Sequence, residues 1–94
     1  VIEIEWDPAK ARANLRKHGI SFDEAKSVFS DHLSLTIIDA AHSDATSELR
    51  FLTLGESSPG KLTVVAHTDR NDRIRIISAR RAKPHEIRQY ESER

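Results

Sequence analysis

Arg73-Ile74-Arg75-Ile76-Ile77-Ser78-Ala79-Arg80-Arg81 decides how this chain folds. Successive side chains of a strand point to opposite faces, so Ile74 and Ile76 share one face and Arg73 and Arg75 the other. With the isoleucines turned into a core, two guanidiniums stand together on the opposite side. Arg80 and Arg81 are adjacent and point apart, so at most one of them joins the Arg73/Arg75 row unless the strand has already ended. Working back towards the N-terminus, Asp69-Arg70-Asn71-Asp72 is a turn and Leu62 to His67 a strand. Ser57-Ser58-Pro59-Gly60 is a second turn, preceded by a strand from Arg50 to Leu54. His42 to Thr46 is a polar loop, and Leu33 to Ile38 a further β-rich run. Short connections make successive strands antiparallel neighbours. On the C-terminal side, Pro84 opens a helix to roughly Tyr90, with Ile87 and Tyr90 on one face.

The N-terminal third reads differently. Val1 to Trp6 alternates apolar and acidic residues and predicts a short strand. Asp7-Pro8 starts a helix: Asp accepts free N–H bonds at the N-cap, and Pro at the first helical position sacrifices no needed donor. Ala11, Leu15 and His18 recur at helical spacing and form the expected buried stripe, with Lys10, Asn14 and Lys17 on another face. Gly19 suits the left-handed position that ends a helix. Ser21 and Glu24 have capping-box spacing, and Ile20 can staple onto Ala25. Phe22, Ala25, Val28 and Phe29 then face a core. The order β-α-α-β-β-β-β-α predicts an α+β fold: an antiparallel sheet, two N-terminal helices and one C-terminal helix. The helices are expected to cover one face of the sheet and leave the other open for a ligand or partner.

The chain has 94 residues, and one domain spanning 1–94 is expected. Cysteine is absent, which removes disulfides, thiolate nucleophiles and thiolate ligands. No apolar run approaches the ~18 residues that span a membrane. The acidic start is unlike a basic signal peptide, so a cytoplasmic location without membrane attachment is expected. The 15 basic and 15 acidic side chains cancel, yet they are segregated. Residues 10–17 carry Lys10, Arg12, Arg16 and Lys17 without an acid. Residues 70–88 carry Arg70, Arg73, Arg75, Arg80, Arg81, Lys83 and Arg88 against Asp72 and Glu86. Segregated charge gives a neutral protein a strong local field.

The Arg73/Arg75 row has two readings. Guanidinium offers phosphate a rigid fork of parallel donors; equally, arginines are ordinary on a solvated strand face. His67 ends the preceding strand, and antiparallel pairing is expected to bring it near that row, where it can exchange protons near neutral pH. Its plainer role is a strand-end histidine bonded to a carbonyl. His18 reads as packing, and His32 and His42 have no assigned role. His85 lies beside the arginine cluster in the first turn of the last helix. Trp6 and Tyr90 either stack a base or fill the core. There is no short-spaced metal-ligand set, glycine-rich phosphate loop or nucleophile elbow. No cofactor or metal is therefore expected, and any catalysis falls to His, Arg, Lys, Tyr or carboxylates.

Three segments resemble the BrnT toxin family: Glu5-Trp6-Asp7-Pro8-x-Lys10, Asn14-Leu15-x-Lys17-His18-Gly19-Ile20-Ser21-Phe22, and Ile76-Ile77-Ser78-Ala79-Arg80-Arg81-Ala82. Arg50-Phe51-x-x-Leu54-Gly55 fits the same pattern. The resemblance implies a RelE/ParE-like fold and a metal-independent endoribonuclease that inhibits translation. It also implies a BrnA-like antitoxin that neutralises the toxin, with operator DNA bound only through the complex. Carried over residue by residue, it points first to Arg80 as a donor to the scissile phosphate. Arg75, His67 and Asp72 complete the expected catalytic set, His67 as acid or base and Asp72 as an orienting carboxylate or base. Lys17, Arg73, Arg81 and Arg88 are the expected RNA contacts. Two other functions fit the same residues: an RNA-binding domain without catalysis, and a degenerate toxin retained to bind its partner.

Overall fold

A computed structural model describes residues 2–42 and 48–92. Strand β1 (Glu3–Trp6) leads to helix α1 (Pro8–His18) and helix α2 (Phe22–Ser27), which runs into a 3-10 turn at Val28–Ser30. Strands β2 (Leu35–Ile38), β3 (Arg50–Glu56), β4 (Leu62–Arg70) and β5 (Arg73–Arg81) follow, and helix α3 (Pro84–Ser92) ends the described chain. Ala40–His42 is a second 3-10 turn. The remainder of the expected polar loop, from 43 on, lies outside the described residues.

The local signals act as the sequence suggests. The Asp7 carboxylate accepts from Ala9 N–H at 2.9 Å, and Gly19 closes α1 at φ 70° with its N–H on the Leu15 carbonyl. Ser21 Oγ accepts from Glu24 N–H at 3.0 Å. The Glu24 side chain does not return to Ser21, so the capping box is one-sided; its carboxylate is taken by Ser57 and Arg81. Strand β2 begins at Leu35 rather than Leu33. Asp31 explains the delay, because its side chain holds Leu33 N–H and its carbonyl holds Ser34 N–H, both at 3.0 Å.

The strands form one sheet in the order β1-β5-β4-β3-β2. The consecutive strands β2 to β5 are antiparallel as expected, but β1 runs parallel to β5. The sheet is therefore mixed, which corrects the antiparallel expectation. The two helices after β1 act as a crossover, so β1 joins the edge beside the last strand and not its sequence neighbour. Alternation along β5 is also interrupted. Ala66 faces Ser78 while His67 faces Ile76, leaving Ile77 as a bulge. The extra residue moves Ala79 to the same face as Ile76.

Helices α1 and α2 cover that face. Ile20, Phe22, Ala25, Val28, Val65, Ile76 and Ala79 are buried together, with Ile4, Trp6, Ala11 and Phe29 packed around them. Gly55 lets the sheet approach closely, since a Cβ there would lie 2.9 Å from Val28 Cγ1. A second cluster lies on the other face. Tyr90 of α3 packs with Leu54 and Val64, flanked by Leu35, Leu52, Leu62 and Ala82. The second face is thus partly covered, contrary to expectation; its β1–β5–β4 end is open, and at the other edge Ile37 of β2 is exposed.

The expected α1 stripe holds at Ala11, which packs on the core, and fails beyond it. Leu15 is 52% exposed and His18 is exposed, whereas Asn14 is buried. β1 pairs with β5 only as far as Ile76, so Ala79 has peptide groups with no strand beside them on that edge. Asn14 supplies the missing partner. Its Nδ2 donates to the carbonyls of Ala79 and Ile20 at 3.0 Å each, and its Oδ1 accepts from Ala79 N–H at 3.0 Å. Each buried peptide group left unpaired costs about 1–3 kcal/mol. Asn14→Leu, near in size but unable to bond, is expected to lose about 3 kcal/mol or more in a urea unfolding titration. Asn14→Asp, which accepts but cannot donate, is expected to be destabilised as well. A leucine variant as stable as the parent would remove this explanation of the helix rotation.

Candidate nucleic-acid interface

The β4–β5 hairpin builds the open end. Asn71 and Asp72 turn the chain at φ 49° and 66°, the left-handed pair that matches strand twist in a two-residue loop. This register sets Arg70 opposite Arg73 and Thr68 opposite Arg75. On the flanking strands, Glu3 aligns with Arg73, Glu5 with Arg75, and Arg50 with Thr68. Two rows therefore cross the sheet, Glu5-Arg75-Thr68-Arg50 and Glu3-Arg73-Arg70. Glu5, Thr68, Arg70, Asn71, Arg73 and Arg75 line a cavity of about 480 Å³. Its charge is interleaved, and the row is not the bare line of cations that the alternation of β5 alone suggests.

Ion pairing sorts the arginines into two kinds. Arg75 Nη1 lies 3.0 Å from Glu5 Oε2; Arg73 lies 3.4 Å from both Glu3 and Glu5; Arg70 Nε donates to Glu48 at 2.7 Å. These side chains are half-exposed or more, and exposed pairs exchange readily for other partners. Arg80 and Arg81 are held differently. Arg80 donates both terminal nitrogens to Glu86, at 2.8 and 2.9 Å, and Arg81 Nη1 donates to Glu24 at 2.6 Å. Both glutamates are only 15% exposed. The Arg80 fork and the Lys83 N–H bring the Glu86 carboxyl down to about 2. As the alternation implied, Arg80 and Arg81 take opposite faces: Arg80 bolts β5 to α3, and Arg81 bolts it to α2.

His67 is not beside the arginine row. It pairs with Ile76, which places it on the α1/α2 face, 2% exposed, between the rings of Phe29 and Phe51. Its Nδ1 lies 2.7 Å from Asp69 Oδ1 and its Nε2 2.7 Å from Thr53 Oγ1, which in turn is 2.8 Å from Thr36 Oγ1. Asp69, and not Asp72, is thus the carboxylate that orients this ring. Asp72 sits exposed at the hairpin tip, where its carbonyl accepts from Glu3 N–H at 3.3 Å. The His-x-Asp spacing on one strand was the available signal, since residues two apart share a face.

The other expected contacts are dispersed. Lys17 is exposed on α1, and Arg81 lies with α2, both across the sheet from the cavity. Arg88 and His85 are exposed on α3. Tyr90 is buried with its hydroxyl donating to Asp31 at 2.6 Å, and Trp6 meets Phe22 edge-on at 5.9 Å. Arg73 and Arg75 are the expected site residues that the structure brings together. Glu5, Thr68, Arg70 and Asn71 join them without having been foreseen; the alternation of β1 marked Glu3 and Glu5 as a face, but not which strand lay beside it. Among the described residues no cluster of His, Asp or Glu is arranged to hold a metal ion, and no helix is long and apolar enough to cross a membrane.

Comparison with known proteins places this architecture among the ribonuclease toxins of type II toxin–antitoxin systems. The family model described as the ribonuclease toxin BrnT of such a system matches residues 6–86. The chain belongs to the BrnT family. Among solved structures, the ribonuclease toxin BrnT of Brucella abortus superposes with a TM-score of 0.62 at 22% identity, covering 88% of this chain and 99% of that one. At that identity the likeness concerns the fold: an α+β unit with a five-stranded mixed sheet and three helices. No curated protein sequence matches the chain.

Burial pushes the His67 pKa down, and the Asp69 carboxylate opposes this only in part. The native state therefore binds the His67 proton less readily than the unfolded chain. Its stability contribution is complete above the unfolded value of about 6.5 and is lost as pH falls through that value towards the lower native one. The melting temperature is expected to drop between pH 7.5 and 5.5, and His67→Gln is expected to flatten that slope. Equal slopes in parent and variant would assign the acid sensitivity to other groups.

Proposed function

We propose that this chain is the toxin of a type II pair and cleaves RNA as a metal-independent endoribonuclease, thereby inhibiting translation. In this reading its fold is RelE/ParE-like, a BrnA-like antitoxin neutralises it, and operator DNA is reached only through the antitoxin complex. Family membership supports the ribonuclease class. The observation that carries the site assignment is the cavity lined by Arg70, Arg73 and Arg75 on the uncovered end of the sheet.

RNA cleavage of this type needs positive donors around a phosphate whose charge grows as the 2′-oxygen attacks. Fixed donors aimed at developing charge supply a large part of catalysis. Arg73 and Arg75 have that form. Their ion pairs are exposed, so a phosphate able to accept two parallel bonds can replace the glutamates. Arg70 extends the same surface along the RNA backbone. Arg80 has its terminal nitrogens committed to a shielded carboxylate, and we assign it to holding α3 on the sheet.

The test is incubation of the purified, refolded chain with RNA in EDTA. An Arg73→Ala/Arg75→Ala double variant and an Arg80→Ala variant are run beside it. The parent is expected to cleave and the double variant to lose about 100-fold or more in rate with unchanged circular dichroism. Arg80→Ala is expected to keep cleaving while melting several degrees lower. Loss of cleavage in Arg80→Ala with an unchanged melt would return Arg80 to the chemistry. A parent that retains RNA in a salt-sensitive way without cutting it would instead be a binding module. A parent that neither binds nor cuts, yet captures its antitoxin, would be a degenerate toxin.

A further inference from the structure

The ribonuclease reading leaves open what takes the proton from the 2′-hydroxyl. His67, the expected proton carrier, is buried on the opposite face. Glu24 and Glu86 are each committed to an arginine in shielded pairs, and Asp69 is bonded to His67. Among the described residues lining the cavity, Glu5 is the sole carboxylate, and no histidine is present. Its two oxygens lie 3.4 Å from Arg73 Nη1 and 3.0 Å from Arg75 Nη1, so it sits between the two proposed phosphate donors. Parallel pairing of β1 with β5 fixes it there, through the alignment of Glu5 with Arg75. With 40% of its side chain exposed, it is open to a ligand in the cavity.

We infer that Glu5 is the proton acceptor of the cleavage step; this rests on the ribonuclease reading above. A phosphate that takes over the Arg73 and Arg75 forks frees the carboxylate those arginines had held and leaves it beside the bound nucleotide. Glu5 then accepts the proton of the 2′-hydroxyl while the 2′-oxygen forms a bond to phosphorus. The bond from phosphorus to the 5′-oxygen breaks, and that oxygen takes a proton from water. The proton on Glu5 returns to the hydroxide left behind. The products are a 2′,3′-cyclic phosphate and a 5′-hydroxyl, with no net change in protons. The charged groups around Glu5 are Arg73 and Arg75 on β5, Arg70 beyond them on β4 with its partner Glu48, and Glu3 on its own strand.

The decisive comparison is Glu5→Gln against the parent, using RNA for turnover and a 2′-deoxy oligonucleotide for binding. A positioned general base contributes about 100- to 10,000-fold, so kcat of Glu5→Gln is expected to fall at least about 100-fold. KM and the affinity for the 2′-deoxy oligonucleotide are expected to hold or improve, because a carboxylate beside the phosphate is gone. Glu5→Asp, which keeps a carboxylate, is expected to recover part of the rate. Turnover within about tenfold of the parent would overturn the assignment. Parallel loss of turnover and 2′-deoxy binding would overturn it in favour of a spacer that merely orients the arginines. A parent that leaves RNA intact would bring down the ribonuclease reading itself, and Glu5's role with it.

Discussion

One side-chain amide holds the two halves of this fold together. Asn14 bonds to both peptide groups of Ala79 and to the carbonyl of Ile20. It thereby joins the first helix, the turn into the second, and strand β5 beside the edge strand β1. It stands where β1 has stopped and a strand edge would otherwise be buried without partners. A leucine at this place would pack but leave three polar groups unpaired, which explains why α1 turns Asn14 inward and exposes Leu15. Everything on that face depends on this seating: the Trp6–Phe22 contact, the Ile20–Ala25–Ile76 core and the Arg81–Glu24 pair.

The bulge at Ile77 decides how β5 serves both faces. Before it, the strand shows arginines to the open side and isoleucines to the helices; after it, the phase is reversed. Ala79 can therefore meet Asn14, Arg81 can reach Glu24, and Arg80 can reach Glu86 on α3. Adjacent arginines with the same chemistry thus become two rivets on opposite sides of the sheet. The Arg73/Arg75 pair, upstream of the bulge and next to a tight turn, keeps exposed partners and stays available to a ligand. Burial of the partner, more than the guanidinium itself, separates the two shielded pairs from the exposed ones.

The segments that resemble the toxin family owe much of their pattern to this packing. Asn14 and Ala79 come from different segments and bond directly; Gly19 caps a helix; Ile20 and Phe22 are core; Arg80 and Arg81 anchor helices. A pattern read as a catalytic signature can thus specify a fold while the open cavity is lined by less distinctive residues such as Thr68, Arg70 and Asn71.

The sequence by itself determined the local elements. Asp7-Pro8, Gly19, Ser21, Pro84 and the alternation of Arg73 to Ile76 act through neighbours in the chain, and helix starts, stops and strands follow from them. It also implied that Arg80 and Arg81 diverge, because adjacent residues of a regular strand do so and β5 runs through both. Tertiary structure alone decided the parallel docking of β1, the inward turn of Asn14, the bulge at Ile77 and the cover that α3 provides. Each of these answers a demand created by segments far apart in sequence: an unpaired strand edge, a register to be closed, an apolar patch to be buried. For the same reason Glu5 and Arg75 are distant in the chain but neighbours in the cavity, and His67, on the strand that leads into the turn, faces the other way.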